Sequence, residues 1–167
     1  MNFNRGDRVV HQDFGVGTVV SIEWMNFSGS EPRLFYRVEF LKTTIWVSVG
    51  NQSPKGLRLI TPKGKLNHFR ALLKSSPEAL DADFRARQKK LENQIDQGTF
   101  ESLCEIVRDL SARNGLKPLN NYEKALLKQS RASLAAEWAV MSGLEVLEAL
   151  DEIDGCLLRG KQQRGKS

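Results

Sequence analysis

The spacing of apolar residues changes once along this chain, at Pro62-Lys63-Gly64-Lys65. Before that point apolar and polar residues alternate, for example over 34–40, and this is the period of a half-buried strand. After it apolar residues recur every three or four positions, for example over 100–110, as on an amphipathic helix. The sequence therefore predicts an α+β protein in which the strands come first and the helices follow.

The first segment predicts a small β-barrel of four to five antiparallel strands. Runs of β-branched and aromatic residues lie at 8–10, 17–22, 34–40 and 44–49, and turn residues separate them. The longer predicted loops lie at 27–32 and 50–56. Short strands at this spacing are typical of a small barrel, which usually presents a strand edge or a groove to a partner.

The second segment predicts a bundle of about five helices. Ser76-Pro77-Glu78 has the composition of a helix start. Gly98 ends one predicted helix, Thr99 caps the next, and Gly143 separates the last two. Each predicted helix has one apolar face, so we expect all of them to pack together.

The period change and the charge distribution divide the chain into three parts. We expect a strand domain at 1–61 and a helical domain at 62–158. The residues at 159–167 are basic and polar, which predicts a disordered tail.

Composition narrows the possible classes of protein. The net charge of +5 suits a protein that touches phosphates without wrapping them. No apolar run approaches the roughly 20 residues of a membrane span, and the start lacks the core of a signal peptide, so we expect a cytoplasmic protein that does not bind membranes. Cys104 and Cys156 are far apart and have no metal-ligand spacing, which predicts buried thiols and no metal site. There is no nucleophile motif, phosphate loop or clustered acid pair, so we predict a non-enzyme without a cofactor.

Two basic sets stand out in the helical segment. The first surrounds position 84 and consists of Arg85, Arg87, Lys89 and Lys90. The second set is Lys124, Lys128 and Arg131, which lie on one stripe of a predicted helix. No acidic residue lies within that stripe. Charge of a single sign along a stripe is the footprint of contact with a phosphate backbone. A solvated helix face has the same composition, so both interpretations remain open.

Several motifs carry a family resemblance. Gly6-Asp7-x-Val9-Val10-His11 and Phe14-Gly15-Val16-Gly17-Thr18-Val19 resemble the amino-terminal module of the CarD/CdnL transcription regulators. The transcription-repair coupling factor shares this Tudor-like module. Gly98-Thr99 and the run at 105–110 resemble the helical half of CarD-type proteins, which the coupling factor lacks. The likeness covers residues 2 to about 138.

The resemblance implies a bacterial transcription regulator with two partners. It would dock on the RNA polymerase β subunit and contact promoter DNA upstream of the bubble, stabilising the open complex. The DNA contact would be sequence-nonspecific, through the minor groove and the backbone. We expect a monomer that is associated with the nucleoid through polymerase. The alternative is a diverged adaptor of the same architecture that binds polymerase or another partner without a DNA wedge.

The resemblance also places a DNA wedge in the helical half. The family inserts a Trp into the minor groove, and counting back from Gly98 places that position at Phe84. A Phe can serve as an apolar wedge, and Arg87 matches a basic residue that the family keeps near it. Phe84 also shares a helical face with Leu80 and Leu91, so a core role stays open.

The family holds polymerase through the sheet edge by strand addition, together with basic side chains. The corresponding candidates here are Trp24, Met25, Arg33, Arg37 and Trp46. Met25 and Trp46 fall where one branch of the family carries Arg. Trp24 precedes a loop at a strand end, which favours an exposed anchor. For Trp46 we favour a core position over an anchor, since Trp in a small barrel is more often at least half buried.

Overall fold

A computed structural model describes residues 2–26, 29, 31–50 and 56–165. The chain forms two compact units, Met1–Ile60 and Thr61–Ser167. Their division lies one residue from the boundary that the change of apolar period predicts. Of the predicted loops, residues 27, 28, 30 and 51–55 lie outside the described residues.

The first unit is an antiparallel sheet. Its strands are β1 (Arg8–His11), β2 (Gly15–Met25), β3 (Arg33–Phe40), β4 (Thr44–Ser48) and β5 (Leu57–Leu59). Their spatial order is β4-β3-β2-β1-β5, and every pairing is antiparallel. Over the described residues the sheet is open rather than closed into a barrel, because β4 and β5 each pair with one neighbour.

One face of this sheet forms a small core. It contains Phe3, Val9, Val19, Tyr36 and Val38. The Phe3 and Tyr36 rings meet edge to face at 5.3 Å, and the Phe3 N–H donates to the Tyr36 hydroxyl at 3.2 Å. The opposite face and the strand edges are therefore left to make other contacts.

The second unit consists of five helices behind a short 3₁₀ turn at Lys63–Lys65. They are α1 (Leu66–Lys74), α2 (Phe84–Asp96), α3 (Phe100–Asn114), α4 (Asn121–Ser142) and α5 (Val146–Arg164). An open five-stranded sheet followed by five helices confirms the predicted α+β class. Among the described residues, none of the helices has the length and apolar composition to cross a bilayer.

Local capping sets most of the helix ends. The Thr99 side chain accepts a hydrogen bond from the Ser102 N–H at 3.0 Å and starts α3. Asn120 and Glu123 form a reciprocal capping box at the start of α4. Gly143 ends α4 with a left-handed φ of 75°. The predicted junctions at Thr99 and Gly143 are confirmed.

The predicted helix start at Ser76-Pro77-Glu78 is wrong, since α2 begins at Phe84. Tertiary contacts hold the preceding residues outside a helix: the Glu78 N–H donates to the Asp109 carboxylate at 3.0 Å. The cap is instead Asp83, whose carboxylate accepts from the Ala86 N–H at 2.8 Å. A distant acceptor therefore outweighs the local helix signal.

The predicted disordered tail is also wrong for residues 159–164, which continue α5. Gly160 lets α5 approach the end of α1, because a Cβ there would lie 2.5 Å from the Lys74 carbonyl oxygen. The Arg164 guanidinium donates to the Ser75 carbonyl at 3.0 Å. Basic composition therefore does not prevent this segment from docking on α1.

The helices share an apolar interior. One cluster contains Leu91, Ile106, Leu110, Leu119 and Leu126. The buried Trp138 ring lies 6.1 Å from that of Phe100, and its indole N–H donates to Glu152 at 2.8 Å. Cys104 and Cys156 are free and buried as predicted, and burial raises the pKa of the Cys104 thiol well above its ordinary value.

Candidate functional site

Phe84 is the first residue of α2 and stands outside the helical core. Its side chain is 48% exposed, whereas Leu91 on the same helix is fully buried. The difference arises at the helix start, where Asp83 caps the turn and the chain before it is not helical. Of the two roles left open for Phe84, the structure therefore excludes the core.

Arg87 lies one turn further along α2 and forms hydrogen bonds with the backbone that precedes the helix. Its Nη1 donates to the backbone carbonyls of Asp81, Ala82 and Asp83, at 2.7, 3.1 and 3.4 Å. Its guanidinium carbon lies 5.9 Å from the centre of the Phe84 ring, within range of a cation–π contact. One side chain thus fixes the backbone before Phe84 and also contacts its ring.

Arg87 is anchored in turn by Glu123 of α4. Its Nε donates to the Glu123 carboxylate, and both side chains are buried, with exposures of 7% and 2%. The other Glu123 oxygen accepts from the Asn120 N–H at 3.0 Å. Burial raises the pKa of Glu123, but the hydrogen bonds from Arg87 and Asn120 outweigh it and lower the pKa overall. Glu123 is therefore an ionised partner for Arg87.

The buried pair corrects one prediction. Arg87 was expected to contact DNA phosphates, but its guanidinium is engaged by Glu123 and the three carbonyls. Of the other basic residues around Phe84, Lys90 forms an ion pair with Glu78. Arg85 and Lys89 are exposed and form no ion pair with any described residue.

The second basic set follows Glu123 directly on α4. Lys124 and Lys128 are exposed. Arg131 is not free, because its Nη2 donates to both carboxylate oxygens of Asp154, each at 2.7 Å. The predicted stripe without acids is therefore wrong at one end, since α5 supplies a carboxylate. Because Arg87 bonds Glu123, the stripe starts beside the first turn of α2.

In the sheet unit, Trp24 and its neighbours form an exposed corner. Trp24 is 72% exposed near the end of β2, as predicted for an anchor. It pairs across the strands with Leu34, and Met25 pairs with Arg33. A shallow recess of about 600 Å³ lies here, lined by Trp24, Pro32, Arg33, Leu34, Ser48, Val49 and Gly50.

Trp46 lies on the edge strand β4 and is 44% exposed, so the expectation that it belongs to the core is wrong. It stands opposite Arg37 of β3, which pairs with Glu39 at 3.3 Å. The Trp46 indole donates to Glu23 at 3.4 Å. Hydrogen bonds from Ser21 and then Trp46 lower the pKa of Glu23, so an ionised carboxylate orients the indole.

The backbone of β4 is available on its outer side. The Val49 N–H donates to the Leu34 carbonyl at 2.9 Å and the Phe40 N–H to the Thr43 carbonyl at 2.8 Å. Antiparallel pairing alternates, so the N–H and C=O groups of Trp46 and Ser48 point away from β3. Among the described residues β4 has no second strand neighbour, which leaves an edge that can accept another strand.

Two family models match the chain. The CarD-like/TRCF RID domain matches residues 3–62, and the CarD C-terminal domain matches residues 69–154. The chain belongs to the CarD family. This family is associated with transcription and interacts with RNA polymerase. The strand-edge surface thus lies in the part of the chain that matches the first CarD model, and Phe84 lies in the part that matches the second.

In this CarD chain, the sequence patterns did not indicate the acidic residues that pair with the predicted DNA-binding arginines. Glu123 supports Arg87, and Asp154 pairs with Arg131. The spacing Asn120-x-x-Glu123 is a capping signature that could have placed Glu123 at a helix start. Nothing local in the sequence indicates that Asp154 faces Arg131, since they lie on different helices.

Proposed function

We propose that this chain docks on the RNA polymerase β subunit through its sheet unit and contacts promoter DNA upstream of the bubble through its helical unit. By doing so it stabilises the open complex. Membership of the CarD family supports the polymerase partner. The observation that carries the DNA contact is an exposed Phe84 on a helix start that a buried ion pair holds in place.

Docking on polymerase would use the open edge of β4. Strand addition provides main-chain hydrogen bonds to the N–H and C=O groups of Trp46 and Ser48. The exposed rings of Trp24 and Trp46 provide side-chain anchors, because Trp is enriched among residues that dominate binding energy. Backbone pairing tolerates changes in side chain, which fits the absence of Arg at positions 25 and 46.

Contact with DNA would combine the Phe84 wedge with nearby phosphate contacts. A flat apolar ring can enter a partly unstacked base step in the minor groove. Exposed cations position such a wedge by contacting the backbone without reading sequence. The available cations are Arg85, Lys89, Lys124 and Lys128.

Stabilisation would arise from a shift between closed and open promoter DNA. A ligand shifts an equilibrium only by its difference in affinity for the two states. A wedge that contacts opened DNA alone slows the collapse of the bubble, and each ~1.4 kcal/mol of such contact lengthens the lifetime about tenfold. No catalytic step is involved.

The test is the lifetime of the open promoter complex with the full chain and with the Phe84→Ala variant. We expect the variant to shorten the lifetime while it still binds polymerase. Leu147→Ala in the same unit is the matched control, because Leu147 is also an exposed apolar residue, at 75%. A lifetime unchanged by Phe84→Ala would contradict the wedge.

The second candidate is an adaptor that binds polymerase without a wedge. The observation in its favour is that three of the basic residues predicted to contact DNA, Arg87, Lys90 and Arg131, form ion pairs with carboxylates of this chain. An adaptor would be retained on polymerase while Phe84→Ala and the control give identical lifetimes. The same experiment therefore separates the two candidates.

A further inference from the structure

The carboxyl-terminal ends of α1, α3 and α5 surround a cavity of about 430 Å³. Its walls are aliphatic and include Leu73 of α1, Ala112 of α3 and Leu157 of α5, with Pro77 beside them. A volume of this size is within the range of pockets that hold small-molecule ligands, about 300–1,000 Å³, so it has room for an aliphatic side chain.

Two leucines extend this apolar surface outward into solvent. Leu116 and Leu158 both line the cavity, yet they are 86% and 56% exposed. Single exposed apolar side chains are ordinary, but leucines that continue an apolar cavity form a contiguous patch, which is characteristic of interaction sites. The surface is therefore wider than the cavity, and a small ligand would leave its outer leucines uncovered.

The cavity also carries an excess of positive charge. Arg108, Lys161 and Arg164 line it, and none of the described lining residues is acidic. Arg108 is engaged by Asp109 at 2.7 Å, whereas Lys161 and Arg164 are exposed. Arg164 donates only to the neutral Lys74 and Ser75 carbonyls, so no carboxylate of the described residues neutralises it. Carboxylates that approach these two side chains would therefore be favoured electrostatically.

We propose that this cavity is a docking site for a segment of a partner protein that inserts an aliphatic side chain and presents carboxylates beside it. The proposal goes beyond the proposed function, since the cavity shares no residue with the Phe84 surface, the Lys124–Lys128 stripe or the sheet edge. The aliphatic side chain would fill the space between Leu73 and Leu157. The carboxylates would meet Lys161 and Arg164.

DNA does not fit this chemistry. Phosphates would match the two cations, but a duplex backbone offers no aliphatic group for the cavity, so the leucines would stay solvated or meet charge. This cavity differs from the Phe84 surface. At Phe84 the protein supplies the apolar group that inserts, whereas the cavity receives an apolar group from the partner.

A second copy of this chain is the other occupant that the experiment has to separate. The chain does carry an exposed acidic and apolar surface, formed by Glu145, Leu147 and Asp151 near the start of α5. The part of α5 that lines the cavity, from Leu157 to Arg164, lies towards the other end of this 19-residue helix. Asp151 and Leu157 are about 9 Å apart along its axis at 1.5 Å per residue. A two-fold axis would pair each of these surfaces with the cavity of the other copy, so self-association is one of the outcomes that the experiment separates.

The experiment is selection of peptides from a displayed library on the full chain. In the library, aliphatic positions are constant and the remaining positions vary among Glu, Lys and Ser. We expect the enriched peptides to be acidic and to lose at least tenfold in affinity for the Lys161→Gln/Arg164→Gln variant. The Lys124→Gln/Lys128→Gln variant has the same change in net charge elsewhere and should stay within twofold of wild type.

The apolar half is tested by Leu158→Ser, which changes an exposed side chain and should weaken the same peptides without lowering the melting temperature. Thermal melts of the charge variant separate loss of contact from fraying of α5, where Arg164 bonds the Ser75 carbonyl. Enrichment of basic peptides, or equal affinity for all variants, would overturn the proposal. Self-association that the charge variant abolishes would overturn it as well. Binding of dodecanoate, a small ligand with an aliphatic chain and a carboxylate, with no peptide enriched, would also overturn it.

Discussion

The two units present aromatic side chains to solvent in opposite ways. In the sheet unit, Trp46 stands on the edge strand β4, whose outer side offers backbone groups to a partner, and Trp24 stands near the end of β2. In the helical unit, Phe84 stands alone on a helix start that Arg87 and Glu123 hold from inside. A surface that binds through its backbone can change side chains at little cost. A surface that depends on one ring needs buried residues to position that ring.

This contrast explains where the chain departs from the Arg and Trp that the family resemblance leads one to expect. In the sheet unit, Trp46 on the edge strand β4 and Met25 on β2 stand where the resemblance leads one to expect Arg. The outward backbone groups of β4 do not depend on either side chain. In the proposed DNA contact, the smaller ring of Phe84 stands where the resemblance leads one to expect Trp, and the buried Arg87–Glu123 pair fixes the helix start beside it. The five predictions below test this contrast.

The largest effect is expected inside the helical unit. Arg87→Ala removes the hydrogen-bonded partner of the buried Glu123 and leaves only Arg113, whose Nε lies 3.9 Å from the carboxylate. We therefore expect the free energy of unfolding to fall by about 3 kcal/mol, the low end of the cost of breaking a buried pair. Chemical denaturation measures it. Arg85→Ala, an exposed neighbour, should change stability by less than about 0.5 kcal/mol. Equal effects of the two variants would show that the pair does not support this unit.

The same pair predicts the direction of a pH dependence. The pKa of Glu123 lies below its ordinary value of 4.5, so its stabilisation is complete above about pH 4.5 and is lost as pH falls through the native pKa. Denaturation of wild type and of Glu123→Gln over this range measures the difference. If the pair acts as described, the two stability curves converge as the pH is lowered.

The next effect concerns the sheet edge. Trp24→Ala and Trp46→Ala remove exposed anchors, so each should weaken binding to purified RNA polymerase by about 2 kcal/mol, roughly thirtyfold, if it is a binding hot spot. Titration of labelled full-length chain measures this. Leu41→Ala is the control, because Leu41 is 94% exposed in the same unit. Losses shared by the control would point to a nonspecific cause.

A smaller effect is expected from enlarging the ring at the wedge. Phe84→Trp should lengthen the open-complex lifetime a few-fold, since the larger ring covers more of the unstacked base step. Because Phe84 is 48% exposed, stability should stay within about 0.5 kcal/mol of wild type. A destabilised Phe84→Trp protein would mean that the ring is packed more tightly than its exposure implies.

The smallest effect separates the members of the basic stripe. Removing one phosphate contact should lower the slope of log K against log salt by about 0.9 for duplex DNA. We expect that change for Lys124→Ala and for Lys128→Ala. Arg131→Ala should change the slope by less, because Asp154 already neutralises Arg131. Equal slopes for all three variants and wild type would show that the stripe is only solvated surface.

Helix and strand types followed from the sequence because their signals are local. Alternation before residue 62 and the three-to-four spacing after it describe which faces can be buried. Thr99 and Gly143 act on the backbone of their immediate neighbours, so their effect does not depend on the rest of the fold. The exposure of Trp24 could be predicted for the same reason, from its place at a strand end.

Only the tertiary structure determined which charged side chains form ion pairs and where the carboxyl-terminal end of α5 packs. Arg85 and Arg87 are two residues apart and alike in sequence, but α4 places Glu123 against only the second. Asp154 reaches Arg131 from another helix, and α1 receives the end of α5 at Gly160. Each outcome depends on a partner distant in the chain. Periodicity identifies the buried face of a helix, whereas the partner of a charged side chain is set by which helices pack together.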